Sequence, residues 1–143
     1  MKVEQISLFL ENKPGAMVKA TKVLTEADIN IRALSLADTS DFGILRLIVN
    51  DVDKAKRILQ ENGFTVRKTQ VVAVEVADKP GGLHRILEVL SGSNVNVEYM
   101  YAYVERSGQN AILIVRFDPI DTGIEALQKG GFTVLPGEKV YNL

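Results

Sequence analysis

Apolar residues alternate with other residues from Ile6 to Leu10, which is typical of a half-buried strand. A turn, Lys13-Pro14-Gly15, follows, and Pro14 lies where a helix can begin without losing a hydrogen bond. The next apolar positions are spaced as on one face of a helix; they are Met17, Ala20, Val23, Leu24 and Ala27. The pattern therefore predicts a strand, a tight turn and an amphipathic helix.

The next segments predict two more strands, a second helix and a last strand. Branched residues fill Ile29–Leu36 and Ile44–Val49, which favours a strand pair. Apolar spacing over Asp51–Leu59, with acidic residues in the first turn, predicts a helix that ends at Gly63. Residues 67 to 76 contain no strong breaker, so the strand after Gly63 is expected to run nearly into the next segment.

The chain then repeats itself. Three strings recur in the same order at a separation of 66 to 68 positions. They are Lys13-Pro14-Gly15 with Lys79-Pro80-Gly81, Ile29-Asn30-Ile31 with Val95-Asn96-Val97, and Leu59–Val66 with Leu127–Val134. The separation grows from 66 to 68 positions along the chain, so the second half contains two additional residues. They predict a longer loop around Glu105-Arg106-Ser107-Gly108. A long repeat present twice indicates a duplicated domain, with units at 1–69 and 70–143.

Each half has the order strand–helix–strand–strand–helix–strand, which predicts an α+β fold of two ferredoxin-like βαββαβ units. Each unit is expected to have a four-stranded antiparallel sheet with both helices on one face. Several strands are apolar on both sides, since Ile44 and Ile48 alternate with Leu45 and Leu47. We therefore expect part of the second face to be covered, by the other half or by another chain. Halves of about 70 residues are also marginal as independent folds.

Composition excludes several function classes. The 143 residues hold 17 Lys and Arg against 18 Asp and Glu, so non-specific nucleic-acid binding is not expected. There is no cysteine and one histidine, which argues against thiolate metal sites, disulfides, cofactor clusters and most catalytic triads. No apolar run is long enough to span a bilayer, and the first residues lack a signal-peptide core. The composition predicts a cytoplasmic protein with no metal and no cofactor.

The first turn carries the candidate chemistry. Backbone N–H groups at a helix start can hold a carboxylate, and Gly15 allows close approach. The side-chain amides of Asn12 and Asn30 add donors and acceptors, and we expect the end of strand one and the start of strand two to lie near each other. Together these groups suit the ammonium and carboxylate of an amino acid. The alternative is a purely structural turn in which Asn12 caps the helix.

The spaced motifs closely resemble the ACT domain. In the first half they are Glu11-Asn12-Lys13-Pro14-Gly15 and Asp28-Ile29-Asn30-Ile31, and in the second half Ala77-Asp78-Lys79-Pro80-Gly81-Gly82 and Asn94-Val95-Asn96-Val97. The resemblance covers nearly the whole chain, twice, and is strongest to small stand-alone tandem ACT proteins. It implies a regulatory module that binds small ligands, most often amino acids, as in phosphoglycerate dehydrogenase and aspartokinase.

The resemblance also implies where a ligand sits, namely between adjacent ACT units. The implied ligand-binding residues are Asn12, Gly15, Ala16, Met17, Ile29 and Asn30 in the first half, and Asp78, Gly81, Gly82, Leu83, Val95 and Asn96 in the second. Asp78 departs from the pattern, because an ionised carboxylate accepts hydrogen bonds but donates none. The two sites are therefore not expected to be equivalent. ACT units associate through sheet edges, so a homodimer is expected, with a metabolic enzyme as a further partner.

Other residues favour structural roles. Gly43 is predicted to allow a turn or close approach at the start of strand three, or to edge a ligand pocket. His84 is expected on the solvent side of its helix. Three tyrosines alternate along one strand and so share one face: Tyr99, Tyr101 and Tyr103. We expect this face to pack against a partner element, and contact with a ligand is the second hypothesis.

The leading hypothesis is a non-catalytic regulatory module that binds an amino acid and so modulates amino-acid metabolism. The alternative is a ligand-free structural or interaction scaffold that associates with a separate enzyme. RNA recognition needs exposed aromatic residues on strand three, and Gly43–Val49 supplies none. No acid–base pair is marked by spacing, so a catalytic role has no support in the sequence.

Overall fold

The structure, a computed structural model, describes residues 1–38, 41–104 and 110–142. Its elements are β1 (Val3–Glu11), α1 (Ala16–Glu26), β2 (Ile31–Asp38), β3 (Phe42–Val49), α2 (Val52–Glu61), β4 (Thr65–Ala77), α3 (Gly82–Gly92), β5 (Asn96–Val104), β6 (Asn110–Asp118), α4 (Ile120–Lys129), β7 (Val134–Leu135) and α5 (Gly137–Tyr141). The predicted order of elements is confirmed twice over. The longer loop predicted at Glu105–Gly108 lies outside the described residues.

The chain divides into two compact units. The N-terminal unit holds residues 4–69 and 141–143, and the C-terminal unit holds residues 1–3 and 70–140. Strand order is β2–β3–β1 in the first, with β4 next to β1, and β5–β6–β4–β7 in the second. The pairings β1–β3, β2–β3, β4–β6, β4–β7 and β5–β6 are antiparallel. Each unit therefore has the predicted ferredoxin-like topology.

Each sheet packs its two helices on one face. In the N-terminal unit, Leu24 of α1 and Leu59 of α2 share a core cluster with Leu45 and Leu47 of β3. In the C-terminal unit, Ile86, Leu90 and Leu127 of the helices pack in one cluster with residues of β4 and β6. The helical spacing of these apolar residues places them on the buried side of each helix, and burial of that side holds helix to sheet.

The opposite face of each sheet also carries buried residues. Ile48 follows Leu47 in β3 and is fully buried, although the two side chains point to opposite faces. The same holds for Ile112 and Ile114 in β6. The strands that are apolar on both sides in the sequence thus carry buried residues on both sides.

Two prolines lie in turns and not at the first helical position, which corrects the sequence prediction. The carbonyl of Lys13 accepts a hydrogen bond from the N–H of Ala16 at 3.3 Å, and Gly15 between them has φ +86°. This is a type II turn with Pro14 in its second position, and its third position requires φ above zero. Lys79–Gly82 repeats the turn, with Gly81 at φ +86°. The helices begin only after the turns, at Ala16 and Gly82.

Tyr141, near the C-terminus, is held in the N-terminal unit by two hydrogen bonds. Its hydroxyl accepts a hydrogen bond from the N–H of Glu4 at 2.7 Å, and its carbonyl accepts one from Nε of Arg32 at 2.9 Å. The ring packs against the core cluster of that unit. Burial is the main cause that raises the pKa of the Tyr141 hydroxyl above its usual range. The end of the chain thus completes the packing of its first unit.

Candidate functional site

A cleft of about 280 Å³ opens beside the start of α1 in the N-terminal unit. The loop after β1 forms one wall, and the end of β2 and the start of β3 form the other. The lining residues are Leu10, Glu11, Asn12, Lys13, Gly15, Ala16, Met17, Val18, Leu36, Asp38 and Gly43. Four of the residues implied by the ACT resemblance, Asn12, Gly15, Ala16 and Met17, therefore lie around one cavity. Gly43 lines it too.

The start of α1 offers hydrogen-bond donors to this cleft. Gly15 is the N-cap residue, and among the described residues no side chain caps the helix. The first intrahelical bond runs from the N–H of Lys19 to the carbonyl of Gly15, so the amides of Met17 and Val18 precede the helical ladder. Such amides, at the positive end of the helix dipole, favour a carboxylate. The alternative in which Asn12 caps α1 is wrong, because Gly15 occupies that position.

Acidic and apolar groups complete the lining. Asp38 stands across from Gly43 in the β2–β3 register, and Glu11 pairs with Lys13 at 2.9 Å between Oε2 and Nζ. Leu10, Met17 and Leu36 supply apolar surface. A Cβ on Gly43 would lie 3.3 Å from Cδ1 of Leu36, so glycine there leaves Leu36 its position on the wall. The cleft thus presents donors for an anion, carboxylates for a cation and apolar contacts between them.

Ile29 and Asn30 lie at the other end of the sheet, which corrects the expectation that they approach Asn12. Leu10 and Asp38 are both opposite Gly43, whereas Ile31 is opposite Val49. β1 and β2 are both antiparallel to β3 and hence parallel to each other, so the end of β1 is far from the start of β2. From Ile31 to Asp38 the strand is about 23 Å long.

Asn30 and Ile29 have structural roles where they lie. The N–H of Asn30 donates to Oδ1 of Asn50 at 2.9 Å, and the N–H of Asn50 donates to the carbonyl of Asn30 at 3.2 Å. Ile29 is buried in the core. Asn30 itself is exposed. Within one unit, the two asparagines cannot share a ligand.

The C-terminal unit repeats this arrangement with one tighter contact. Asp78, Gly81, Gly82 and Leu83 lie at the loop and first turn of α3, while Val95 and Asn96 lie at the opposite end, where Asn96 pairs with Asp118. A Cβ on Gly82 would overlap the carbonyl oxygen of Ala77. Ala16, the counterpart of Gly82, carries that Cβ and lines the cleft. The helix start therefore lies closer to the strand end in the C-terminal unit than a methyl group allows.

The structure adds Leu36 and Asp38 to the site, and sequence reasoning missed both. A register shift in β2 between Ile31 and Ala33 changes which side chains face the helices, so Leu36 lies opposite the core residue Leu45. Leu36 is nonetheless 52% exposed, because β2 is an edge strand. No spacing or motif in the sequence marks either residue as part of the site.

The remaining candidates have ordinary surroundings. His84 is exposed, with Nε2 at 3.0 Å from Oε1 of Glu88 one turn later. Tyr99, Tyr101 and Tyr103 are each half-buried and alternate with exposed neighbours, so they share a face as predicted. Over the described ranges, no three potential metal-ligating side chains cluster. None of the helices in those ranges combines the length and apolarity that a membrane crossing requires.

Comparisons with known proteins agree with this architecture. A family model described as "ACT domain pair" matches residues 1–136. The chain resembles a protein of Bacteroides thetaiotaomicron with a solved crystal structure, and the two sequences are 39% identical. The structures superpose with a TM-score of 0.94, over 100% of this chain and 98% of that one. No curated protein sequence matches.

Two more distant structures share the fold alone. The regulatory subunit of aspartate kinase from Thermus thermophilus, in its ligand-free form, is 14% identical with a TM-score of 0.65, over 89% of this chain and 91% of that one. The corresponding subunit from Thermus flavus is 15% identical with a TM-score of 0.63, over 90% and 92%. Both are similar to this chain along most of its length.

Proposed function

The chain belongs to the family of paired ACT domains, and from that premise we propose that it is a non-catalytic regulatory module that binds an amino acid in the cleft beside α1. ACT domains are regulatory modules and not catalytic ones. The observation that carries the proposal is the cleft's polarity: the amides of Met17 and Val18 suit a carboxylate, and Asp38 suits an ammonium. Leu36 and Met17 then contact the ligand's side chain.

Asn30 enters the site from a second copy of the chain. β2 is an edge strand with exposed apolar residues, Leu34 at 54% and Leu36 at 52%. If two β2 strands pair antiparallel about the midpoint between Leu34 and Ser35, Ile31 of one copy lies across from Asp38 of the other. Asn30 of the second copy then stands at the mouth of the cleft that Asn12 lines. A homodimer therefore gathers both asparagines, which one unit separates.

Such an arrangement couples ligand binding to assembly. A ligand that contacts both copies binds only the paired form and stabilises it by mass action. The paired form offers a separate metabolic enzyme a surface that changes with amino-acid concentration. This is how the module would modulate amino-acid metabolism without catalysis of its own.

Thermal unfolding against the twenty amino acids tests the site. At a hundredfold excess over Kd, the ligand should stabilise the protein by about 2.7 kcal/mol. Asn12→Ala and Asn30→Ala should each weaken binding about tenfold or more, because each removes a hydrogen bond to a charged group. Asn96→Ala, the matched variant of the C-terminal unit, should bind like the wild type. No stabilisation by any amino acid, with the protein folded, would leave the scaffold alternative.

Sedimentation velocity tests the second copy. The wild type should sediment as a dimer that the amino acid strengthens, and Leu34→Lys should dissociate it, because a charge replaces apolar surface at the paired edge. Met100→Lys is the control, since Met100 holds the equivalent position in β5 and is 39% exposed. A monomeric wild type, or dissociation by Met100→Lys alone, contradicts pairing through β2.

A further inference from the structure

The least exposed residues of the amino-acid cleft are apolar. Leu10 is 5% exposed, Gly43 is buried, and Ala16 and Met17 are half-buried. The polar side chains of the lining are all on exposed residues, which are Glu11, Asn12, Lys13 and Asp38. The part of a ligand that lies deepest in the cleft therefore meets apolar carbon.

The charges of the cleft leave none over for a charged ligand side chain. Lys13 is the one cation among the described lining residues, and Glu11 pairs with it at 2.9 Å between Nζ and Oε2. Asp38 is the remaining carboxylate, and the proposed function assigns it to the ligand's ammonium. A charged side chain would displace the Lys13–Glu11 pair or lie unpaired against apolar surface, and an unpaired charge that loses water is strongly disfavoured. These charges favour a ligand whose side chain is neutral.

Leu36 is held on the cleft wall by its fit to Gly43. A Cβ built on Gly43 would lie 3.3 Å from Cδ1 of Leu36, which is closer than the usual contact of about 3.5–4.0 Å between carbon atoms. The leucine therefore packs against the backbone of β3, although 52% of it stays exposed. It lines the same cleft as Leu10 and Met17. The wall thus presents a branched apolar side chain to a ligand.

The C-terminal unit has different residues at three matching positions of its sheet. Where the register of β2 and β3 has Leu36, Asp38 and Gly43, the register of β5 and β6 has Ala102, Val104 and Ala111. The long apolar side chain, the carboxylate and the residue without a Cβ therefore occur together in one unit. This is the unit in which the proposed function puts the amino acid, and the joint change indicates that the three residues serve one site.

We propose, resting on the amino-acid site of the proposed function, that its ligand has an aliphatic side chain and that Leu36 selects it. The ligand's carboxylate accepts hydrogen bonds from the amides of Met17 and Val18, and its ammonium donates to Asp38. Its side chain lies against Leu10, Met17 and Leu36. Each methylene that leaves water for this surface strengthens binding, whereas a hydroxyl, amide or carboxylate at the same place loses its hydrogen bonds to water.

Calorimetric titration of the full chain tests the ligand class. Along the series glycine, alanine, 2-aminobutyrate and norvaline, affinity should rise about fourfold with each added methylene, because each one is transferred from water to apolar surface. Pairs of similar shape isolate the effect of polarity. Threonine should bind about tenfold more weakly than valine, and asparagine and aspartate at least about tenfold more weakly than leucine. Binding of leucine should also show a more negative heat-capacity change than binding of alanine.

Variants of one side chain test the role of Leu36. Leu36→Ala should weaken the binding of leucine about tenfold and change the binding of alanine less than about twofold, because only the longer ligand reaches this wall. Leu36→Met should retain leucine binding, since methionine conserves the apolar volume. Met100→Ala is the matched control, because Met100 is an exposed apolar residue on the edge strand β5 of the C-terminal unit. It should leave every affinity unchanged.

The failure of this inference and the failure of the proposed function give different results. No heat of binding and no thermal stabilisation with any amino acid would remove the amino-acid site, and the aliphatic class with it. Equal affinities for threonine and valine or for aspartate and leucine, or a flat series from glycine to norvaline, would keep the site but overturn the aliphatic class. Equal weakening of leucine and alanine by Leu36→Ala would overturn the selecting role of Leu36, because it would show a general loss of the site.

Discussion

Replacing Gly123 with alanine should lower the free energy of unfolding by about 3 kcal/mol, the upper range for an overfilled core. Gly123 lies in α4 and faces the ring of Phe117, which is fully buried. A Cβ at this position would overlap Cε1 of the ring and lie 2.6 and 2.8 Å from Cδ1 and Cζ. The ring is enclosed by the core cluster, so it has no free space to rotate into, and α4 must move off the sheet.

Urea unfolding, followed by circular dichroism, measures the loss, and two further variants test whether the overlap with Phe117 causes it. Gly92→Ala, at the end of α3, should instead stabilise the protein by about 0.5 kcal/mol, because no described heavy atom lies within 4 Å of its added Cβ. Adding Phe117→Leu to Gly123→Ala should cost less than the sum of the single changes, because the smaller side chain makes room for the methyl group. An additive double variant, or a Gly123→Ala protein as stable as the wild type, would contradict the overlap.

The fold could be predicted from the sequence because the same pattern of apolar positions occurs twice in the chain, once in each half. Helical spacing and strand alternation are set by burial, and the structure buries the same positions in both units, such as Leu24 and Leu90. Turn chemistry was harder to assign. Proline suits both a helix start and the second position of a type II turn, and only the φ of the following glycine distinguishes the two.

About half of the candidate site could be predicted, namely the part that is local in sequence. Asn12 to Met17 follow one another through a turn into α1, so they share a cleft wherever the sheet places it. Asn30 depends on strand direction. A helix that crosses between two parallel strands returns the chain to the end of the sheet where the first strand began. The site in one unit therefore excludes Asn30, and a second copy can supply it.

Leu36 and Asp38 could not be found for a different reason. Simple alternation through β2 assigns side chains to faces only if the register is unbroken, and the irregularity between Ile31 and Ala33 breaks it. Leu36 and Asp38 therefore line the same cleft as the turn motif, although they lie about 20 positions further along the chain. Spacing alone carries no information on that pairing.

The two halves differ at the start of their first helices, where the N-terminal unit has Ala16 and the C-terminal unit has Gly82. Replacing Gly82 with alanine should measure the energetic effect of this difference. A Cβ at Gly82 would overlap the carbonyl oxygen of Ala77 and lie 3.1 Å from its carbonyl carbon. Both are backbone atoms, so no side-chain rotation relieves the overlap. Either the start of α3 or the end of β4 must move. We expect a loss of about 3 kcal/mol in the free energy of unfolding.

The reverse exchange in the other unit supplies the control. Ala16→Gly removes a methyl group that lines the cleft, and it should cost only about 1 kcal/mol, the propensity difference of glycine in a helix. If the pair of variants behaves so in urea unfolding, the close packing at Ala77 explains why the C-terminal unit has glycine where the N-terminal unit has alanine. Equal, small losses in both would mean that α3 shifts freely, and the two helix starts would then be interchangeable. A large loss confined to Gly82→Ala would mean that the room for a ligand beside Ala16 has no counterpart beside Gly82, and it would support the assignment of the amino acid to the N-terminal unit.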